Sequence, residues 1–134
     1  MARDAYLHLR DVPATSPLQV LALFSILESL LTHQPDKNDP SDSTTRQIKN
    51  KMVLLDSRFR EVLPYVEYFG DKLTRLQTWT KLYEVRSAVA HGRQPEAKGF
   101  EDLEKVRRFM RLAVKRVMRH ALDNPRLSAD LREC

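Results

Sequence analysis

Cysteine and glycine are scarce in this sequence. Cys134 is the only cysteine, so no disulfide can form within the chain, and a cysteine-based metal site is not expected. The chain has only 3 glycines. It contains no Gly-rich phosphate loop and no Gly-x-Ser-x-Gly nucleophile elbow, which argues against a Ser/His/Asp hydrolase.

Long hydrophobic runs are also missing. No apolar stretch approaches the roughly 18 residues that a membrane-spanning helix requires. The first 15 residues carry Arg3, Asp4, Arg10 and Asp11 where a signal peptide would have an apolar core. We therefore expect a cytoplasmic protein with no membrane segment.

The four histidines are not arranged as metal ligands. They lie far apart in the sequence, at positions 8, 33, 91 and 120, so no two of them form a local metal-binding pair. We therefore expect neither a metal nor any other cofactor.

What is present is typical of one globular domain. The chain has 134 residues, of which 42% are hydrophobic and 31% charged. Apolar residues recur at spacings of three and four almost throughout, which predicts an all-α fold. Helices are predicted at 16–33, 45–56, 73–91 and 100–122, with short helical pieces in 57–69, an exposed loop at 34–45 and a connector at 93–98. The core is predicted to span about 16–122, between an N-terminal arm (1–15) and a tail (123–134), and residues 6–12 fit either a strand or an extended arm.

Three local signals support these boundaries. Ser16 and Pro17, with Gln19 three residues after the serine, predict a capping box at the start of the first helix. Pro64 breaks or kinks any helix at Leu63. Gly92 stands where a helix would end in the left-handed conformation that glycine accepts without a Cβ clash.

The helical stripes predict which side chains are buried. Trp79, Tyr83 and Phe109 fall on apolar stripes and are predicted to be core residues rather than base-stacking platforms. In the second helix Val53 is predicted to be buried, together with Ile48, Met52 and Leu55, and Arg46, Lys49 and Lys51 to face water. The third helix has an apolar stripe of Leu73, Leu76, Trp79, Leu82, Tyr83, Val85 and Val89.

Positive charge is concentrated in one segment. The chain has 23 Lys plus Arg against 18 Asp plus Glu, a net charge of +5. Residues 105–119 contain seven basic residues and no acid, so the remainder of the chain has a net charge of −2. Such a segment attracts phosphate backbones or anionic lipid, although a solvated helix face is the commoner explanation.

An arginine and a histidine lie five positions apart at the end of the predicted third helix, in the segment YEVRSAVAHG at 83–92. From spacing alone, Arg86 could simply pair with an acid such as Glu84, and His91 could cap the last carbonyls. Glu28 is a polar residue within an apolar helix and should therefore be paired; we predict that its partner is Arg86.

The segment 83–92 resembles the Arg-x4-6-His signature of the HEPN (higher eukaryotes and prokaryotes nucleotide-binding) superfamily. The form Tyr-x-x-Arg-Ser-x-x-x-His-Gly is similar in particular to the Apea-like HEPN branch, and LFSILESLL at 23–31 resembles that branch's first core helix. The resemblance implies a compact bundle of four or five helices. It also implies a metal-independent endoribonuclease that acts as a homodimer in a bacterial defence or toxin-antitoxin setting, where an antitoxin or defence-system protein would be a further partner.

Carried onto this chain, the resemblance makes Arg86 and His91 the catalytic pair. Ser87 follows the arginine as a polar residue, although Asn, Asp or His is more usual there, and Glu28 and Tyr83 are the candidate supporting residues. For contact with single-stranded RNA, the candidates in and near the basic segment are Arg93, Lys105, Arg108, Arg111, Lys115 and Arg119.

The residue types suit this chemistry. Cleavage through the 2′-hydroxyl leaves a 2′,3′-cyclic phosphate and a 5′-hydroxyl, and it needs a proton acceptor, a proton donor and cations on the phosphorane. Imidazole serves either proton role, and guanidinium matches phosphate oxygens. Five residues at ~100° each place the two side chains about 140° apart on a helix, so one copy cannot close neatly on one phosphate. Two copies would supply acid and base from different subunits. The alternative is a non-catalytic module of the same fold that binds RNA, nucleotide or protein.

Overall fold

The computed structural model describes residues 16–32, 44–59 and 62–123. Within these ranges the chain forms five helices and no strand: α1 (Pro17–Leu31), α2 (Thr44–Asp56), α3 (Tyr65–Phe69), α4 (Arg75–Ala90) and α5 (Leu103–Asp123). The predicted all-α helical bundle is confirmed. The predictions for the N-terminal arm, for most of the 34–45 loop and for the tail from residue 124 lie outside the described residues.

The first helix begins where its cap predicts and ends slightly early. Ser16 Oγ accepts a hydrogen bond from the Leu18 N–H at 3.2 Å. Gln19 does not face the cap, because its buried Oε1 accepts from Arg107 Nη1 on α5 at 3.4 Å. The helix ends at Leu31 rather than near residue 33, since both the N–H and the hydroxyl of Thr32 donate to the Glu28 carbonyl, at 2.8 and 2.6 Å.

The later helices also begin at side-chain caps. Thr74 and Gln77 form a reciprocal capping box that starts α4 at Arg75, two residues later than predicted. Asp102 Oδ1 accepts from the Glu104 N–H at 3.0 Å and starts α5 at Leu103 rather than at residue 100. The short α3 begins directly after Pro64, as the helix-breaking role of that proline predicts.

The core lies around α1, which packs against α2, α4 and α5. Trp79, Tyr83 and Phe109 are buried at 0, 7 and 0% exposure, which confirms that they are core residues. The Phe109 ring lies 5.0 to 6.0 Å, centroid to centroid, from four other aromatic rings: Tyr65, Tyr68, Phe69 and Trp79. This aromatic cluster joins α3, α4 and α5.

Three burial predictions are wrong. Lys51 is only 7% exposed, because its ammonium donates to the Leu31 carbonyl at 2.7 Å and so stabilises the negative end of α1. Val53 is 38% exposed, because it follows Met52 on the side of α2 that turns away from the core. Leu76 is 46% exposed in the first turn of α4.

A buried polar network joins α2, α3 and α4. Tyr65 donates its hydroxyl hydrogen to Asp56 Oδ2 at 2.6 Å and accepts from Trp79 Nε1 at 2.9 Å. Asp56 is 2% exposed at the last position of α2.

Among the described helices, none is long and apolar enough to cross a membrane.

Candidate functional site

The end of α4 is a Schellman turn, in which the chain reverses on a left-handed glycine. Gly92 has φ +68°, as predicted. Its N–H donates to the Val89 carbonyl at 3.1 Å, and the Arg93 N–H donates to the Ala88 carbonyl at 2.8 Å. The turn therefore brings residues 93 and 94 back beside the last turn of the helix.

Arg86 is paired with Glu28 across the α1–α4 contact, as predicted. Arg86 Nε lies 2.9 Å from Glu28 Oε1, at a distance typical of an ion pair although the N–H is not aligned for a hydrogen bond. The Glu28 side chain is 17% exposed and that of Arg86 is 36% exposed. About a third of the Arg86 side chain therefore remains open to solvent.

Tyr83 completes this cluster. Its hydroxyl donates to Glu28 Oε1 at 3.2 Å, and the Arg86 guanidinium lies 6.0 Å from the centre of its ring. The ring also packs edge-on against Phe24 at 5.1 Å. Burial, with the charge of Glu28 as a second cause, raises the pKa of Tyr83 well above its usual value. Tyr83 therefore stays a neutral donor at neutral pH and helps to fix the carboxylate that orients Arg86.

His91 and Ser87 are exposed near the same helix end. His91 is the C-cap residue of α4, with φ −95° and ψ 11°, and its backbone N–H donates to the Ser87 carbonyl at 3.1 Å. Within the described part of the chain, the imidazole makes no hydrogen bond, ion pair or ring contact. The structure thus places Arg86 and His91 at one helix end, and within one copy no hydrogen bond or ring contact joins their side chains.

A shallow groove of about 290 Å³ borders this helix end. The Schellman turn forms it by folding the chain after Gly92 back along α4. The groove brings together two predicted site residues, Ser87 and Arg93. Five further residues line it, and sequence analysis had not assigned them to a site: Glu84, Ala88, Gln94, Glu96 and Ala97. The available signal was the i, i+3 spacing of Glu84 and Ser87, which places both on one face of the helix.

The basic segment divides into two groups on α5. Arg108, Arg111, Lys115 and Arg119 are exposed at spacings of three and four, and we call this set the basic stripe. The Arg108 side chain is 64% exposed, and its Nε lies 3.2 Å from Glu104 Oε1. Lys105 lies off the stripe and is partly buried, with Nζ 5.3 Å from the centre of the Phe69 ring.

Arg107 also lies apart from the basic stripe. Its side chain is 12% exposed and donates to both carboxylate oxygens of Glu104, at 2.6 and 3.0 Å. These hydrogen bonds lower the pKa of Glu104. Part of the positive charge of residues 105–119 is therefore neutralised at the start of α5, and the basic stripe carries most of the exposed positive charge.

Among the described residues, no three His, Cys, Asp or Glu side chains are grouped so that they could hold a metal ion. Comparison of the chain with family models, curated proteins and solved structures finds no match.

Proposed function

We propose that this chain is a metal-independent endoribonuclease that acts as a homodimer, with Arg86 and His91 of both copies in one composite site. The observation that carries the proposal is the arrangement at the end of α4. Arg86 is oriented by Glu28 while its side chain stays 36% exposed, and an exposed imidazole lies five residues further along. A defence or toxin-antitoxin role is part of this proposal.

The contacts of Arg86 suit phosphate binding. Glu28 engages Nε, which leaves the two terminal amino groups to donate to phosphate oxygens. The pair also holds the charge in place before the substrate arrives, so less side-chain entropy is lost in the transition state. Glu28 and Tyr83 are thus positioning residues that act through Arg86.

The roles of His91 require two copies. One imidazole would accept the 2′-hydroxyl proton, and the imidazole of the second copy would protonate the departing 5′-oxygen. The exposed position of His91 leaves it available to a subunit interface. The basic stripe and Arg93 would bind the RNA backbone outside the cleft, which predicts binding that weakens as salt is raised.

The test is cleavage of single-stranded RNA in the presence of EDTA. Arg86→Ala and His91→Ala should each lower the rate on the order of 10² or more. The control Lys72→Ala removes an exposed positive charge away from the site and should cleave like the wild type. Far-UV circular dichroism would establish that each variant is folded. Equal cleavage by all four proteins would contradict the assignment.

Mixing experiments test whether the site is composite. If both copies must contribute His91, mixing wild type with His91→Ala should lower activity with the square of the wild-type fraction, since mixed dimers are inactive. A linear fall would show that each copy acts alone and would contradict the shared site. Light scattering at the assay concentration should show a dimer.

The second candidate is a non-catalytic RNA-binding module. One observation favours it: Arg86 already has a carboxylate partner in its own chain, and within the described residues its side chain forms no hydrogen bond with His91. In that case the wild type would bind RNA in a salt-dependent manner and would leave it intact at every enzyme concentration tested.

A further inference from the structure

The groove at the C-terminal end of α4 is lined by charges of both signs that do not neutralise one another. Glu84, Glu96 and Arg93 are exposed and line the groove together. Within the described residues, none of the three side chains forms an ion pair or a hydrogen bond. Two carboxylates and a guanidinium are thus available to a ligand that carries both hydrogen-bond donors and negative charge.

The position of the groove connects it to the proposed reaction. Ser87 and Arg93, which lie on either side of His91 in the sequence, both line it. At about 290 Å³ it lies at the small end of ligand clefts and suits a single base rather than a stack. A base next to the scissile phosphate would therefore lie close enough to bind in the groove.

The lining selects among the four bases. A carboxylate only accepts hydrogen bonds, and guanine alone presents two adjacent donors, N1–H and the N2 amino group, on its Watson–Crick edge. Adenine and cytosine present one amino group beside an acceptor nitrogen, and uracil presents one N–H between two carbonyls. These acceptors would repel a carboxylate.

We propose that this groove binds the base beside the scissile phosphate and that Glu84 and Glu96 select guanine there. Arg93 and Ser87 contact the phosphate of the same nucleotide. The inference rests on the proposed ribonuclease function for its substrate, and it adds a sequence preference that the Arg86/His91 pair does not provide.

Two measurements test the proposal. The first compares cleavage of oligoribonucleotides that differ at one position, which holds guanine, inosine, adenine, cytosine or uracil. The second follows the amide signals of Ala88 and Ala97 by NMR as guanosine or inosine 5′-monophosphate is added. Because inosine lacks only the N2 amino group, its comparison with guanine isolates the second donor.

In the wild type, guanine should be preferred over inosine on the order of 10-fold in both measurements, and over adenine by a similar factor in cleavage. The double variant Glu84→Gln/Glu96→Gln should reduce the preference to roughly two-fold or less, because an amide also donates. The matched control Glu67→Gln changes an exposed glutamate outside the groove, and it should retain the preference for guanine. Arg93→Ala should weaken the binding of all the nucleotides to the same extent.

The possible outcomes separate this inference from the proposed function. Cleavage without base preference, or a preference that survives the double glutamine variant, would overturn the guanine assignment and leave the ribonuclease standing. Selective binding of guanosine monophosphate by a chain that cuts no RNA would support the groove and contradict the ribonuclease. Selectivity for the mononucleotide without selectivity in oligonucleotides would overturn the proposal that the groove reads RNA.

Discussion

Replacing Asp56 with asparagine should change how the stability of this protein depends on pH. Asp56 is 2% exposed, and Oδ2 accepts from the Tyr65 hydroxyl. Among the described residues, Oδ1 has no hydrogen-bond partner. Burial raises the pKa of Asp56 from 3.8 to about 6, against the opposing effects of the Tyr65 hydrogen bond and the Arg75 charge.

The direction in which stability changes with pH follows from the protonation of Asp56 in the folded and in the unfolded chain. Well below pH 3.8 both the folded and the unfolded chain hold the Asp56 proton, so its ionisation costs no stability. As pH rises toward 6, the unfolded chain releases the proton more readily than the folded one, and the free energy of unfolding falls. A pKa that rises from 3.8 to about 6 corresponds to a loss of about 3 kcal/mol, complete above about pH 7.

The assay is urea unfolding at several pH values, followed by the fluorescence of Trp79, the only tryptophan, and by far-UV circular dichroism. The stability of the wild type minus that of Asp56→Asn should fall by about 2.5 kcal/mol between about pH 4 and pH 8. A pH-independent cost of burying the asparagine amide cancels in this change. Asp71→Asn, at an exposed aspartate, is the matched control. A difference that stays within about 1 kcal/mol over this range would refute the reasoning.

Two further predictions concern stability and are checked by the same urea titration at fixed pH. Gly92→Ala should lower the free energy of unfolding by about 1 kcal/mol because of the positive φ alone, since apart from Gly92 and its chain neighbours no heavy atom lies within 4 Å of the added Cβ. Gly92→Asn should cost less, because asparagine accepts the left-handed conformation more readily than alanine. Equal costs for the two variants would contradict this explanation. Phe109→Ala should cost about 3 to 5 kcal/mol, because it leaves a cavity among four rings, and a cost below about 1 kcal/mol would show that the aromatic cluster contributes little.

Helix ends were predictable where a single residue decides them. Proline has no N–H and cannot continue a helix, and glycine accepts the left-handed conformation, so Pro64 and Gly92 act in any tertiary setting. The starts of α4 and α5 were misplaced by two or three residues. The Thr74/Gln77 capping box and the Asp102 cap were both present in the sequence, but nearby apolar residues had extended the predicted helices past them.

The Glu28–Arg86 pair is a partly buried contact that the sequence predicted. An acid within an apolar helix needs a partner, and Arg86 was the predicted choice, which the structure confirms. The same reasoning failed for Lys51. Its partner is the carbonyl end of another helix, and such a backbone partner leaves no residue pattern. The buried side chain of Gln19 was misread as a capping group because its partner, the Arg107 side chain, lies on a helix far away in the sequence.

The sequence by itself determined the all-helical class, the residues of most apolar stripes and the presence of arginine and histidine at one helix end, because these depend on local conformation and periodicity. The tertiary structure alone decided that Glu84, Arg93 and Glu96 share a groove, and which of the basic residues on α5 stay open to solvent. Both depend on how the chain after Gly92 and the neighbouring helices are placed in space. Spacing along the chain does not encode that placement, since it arises only when separate segments pack against one core.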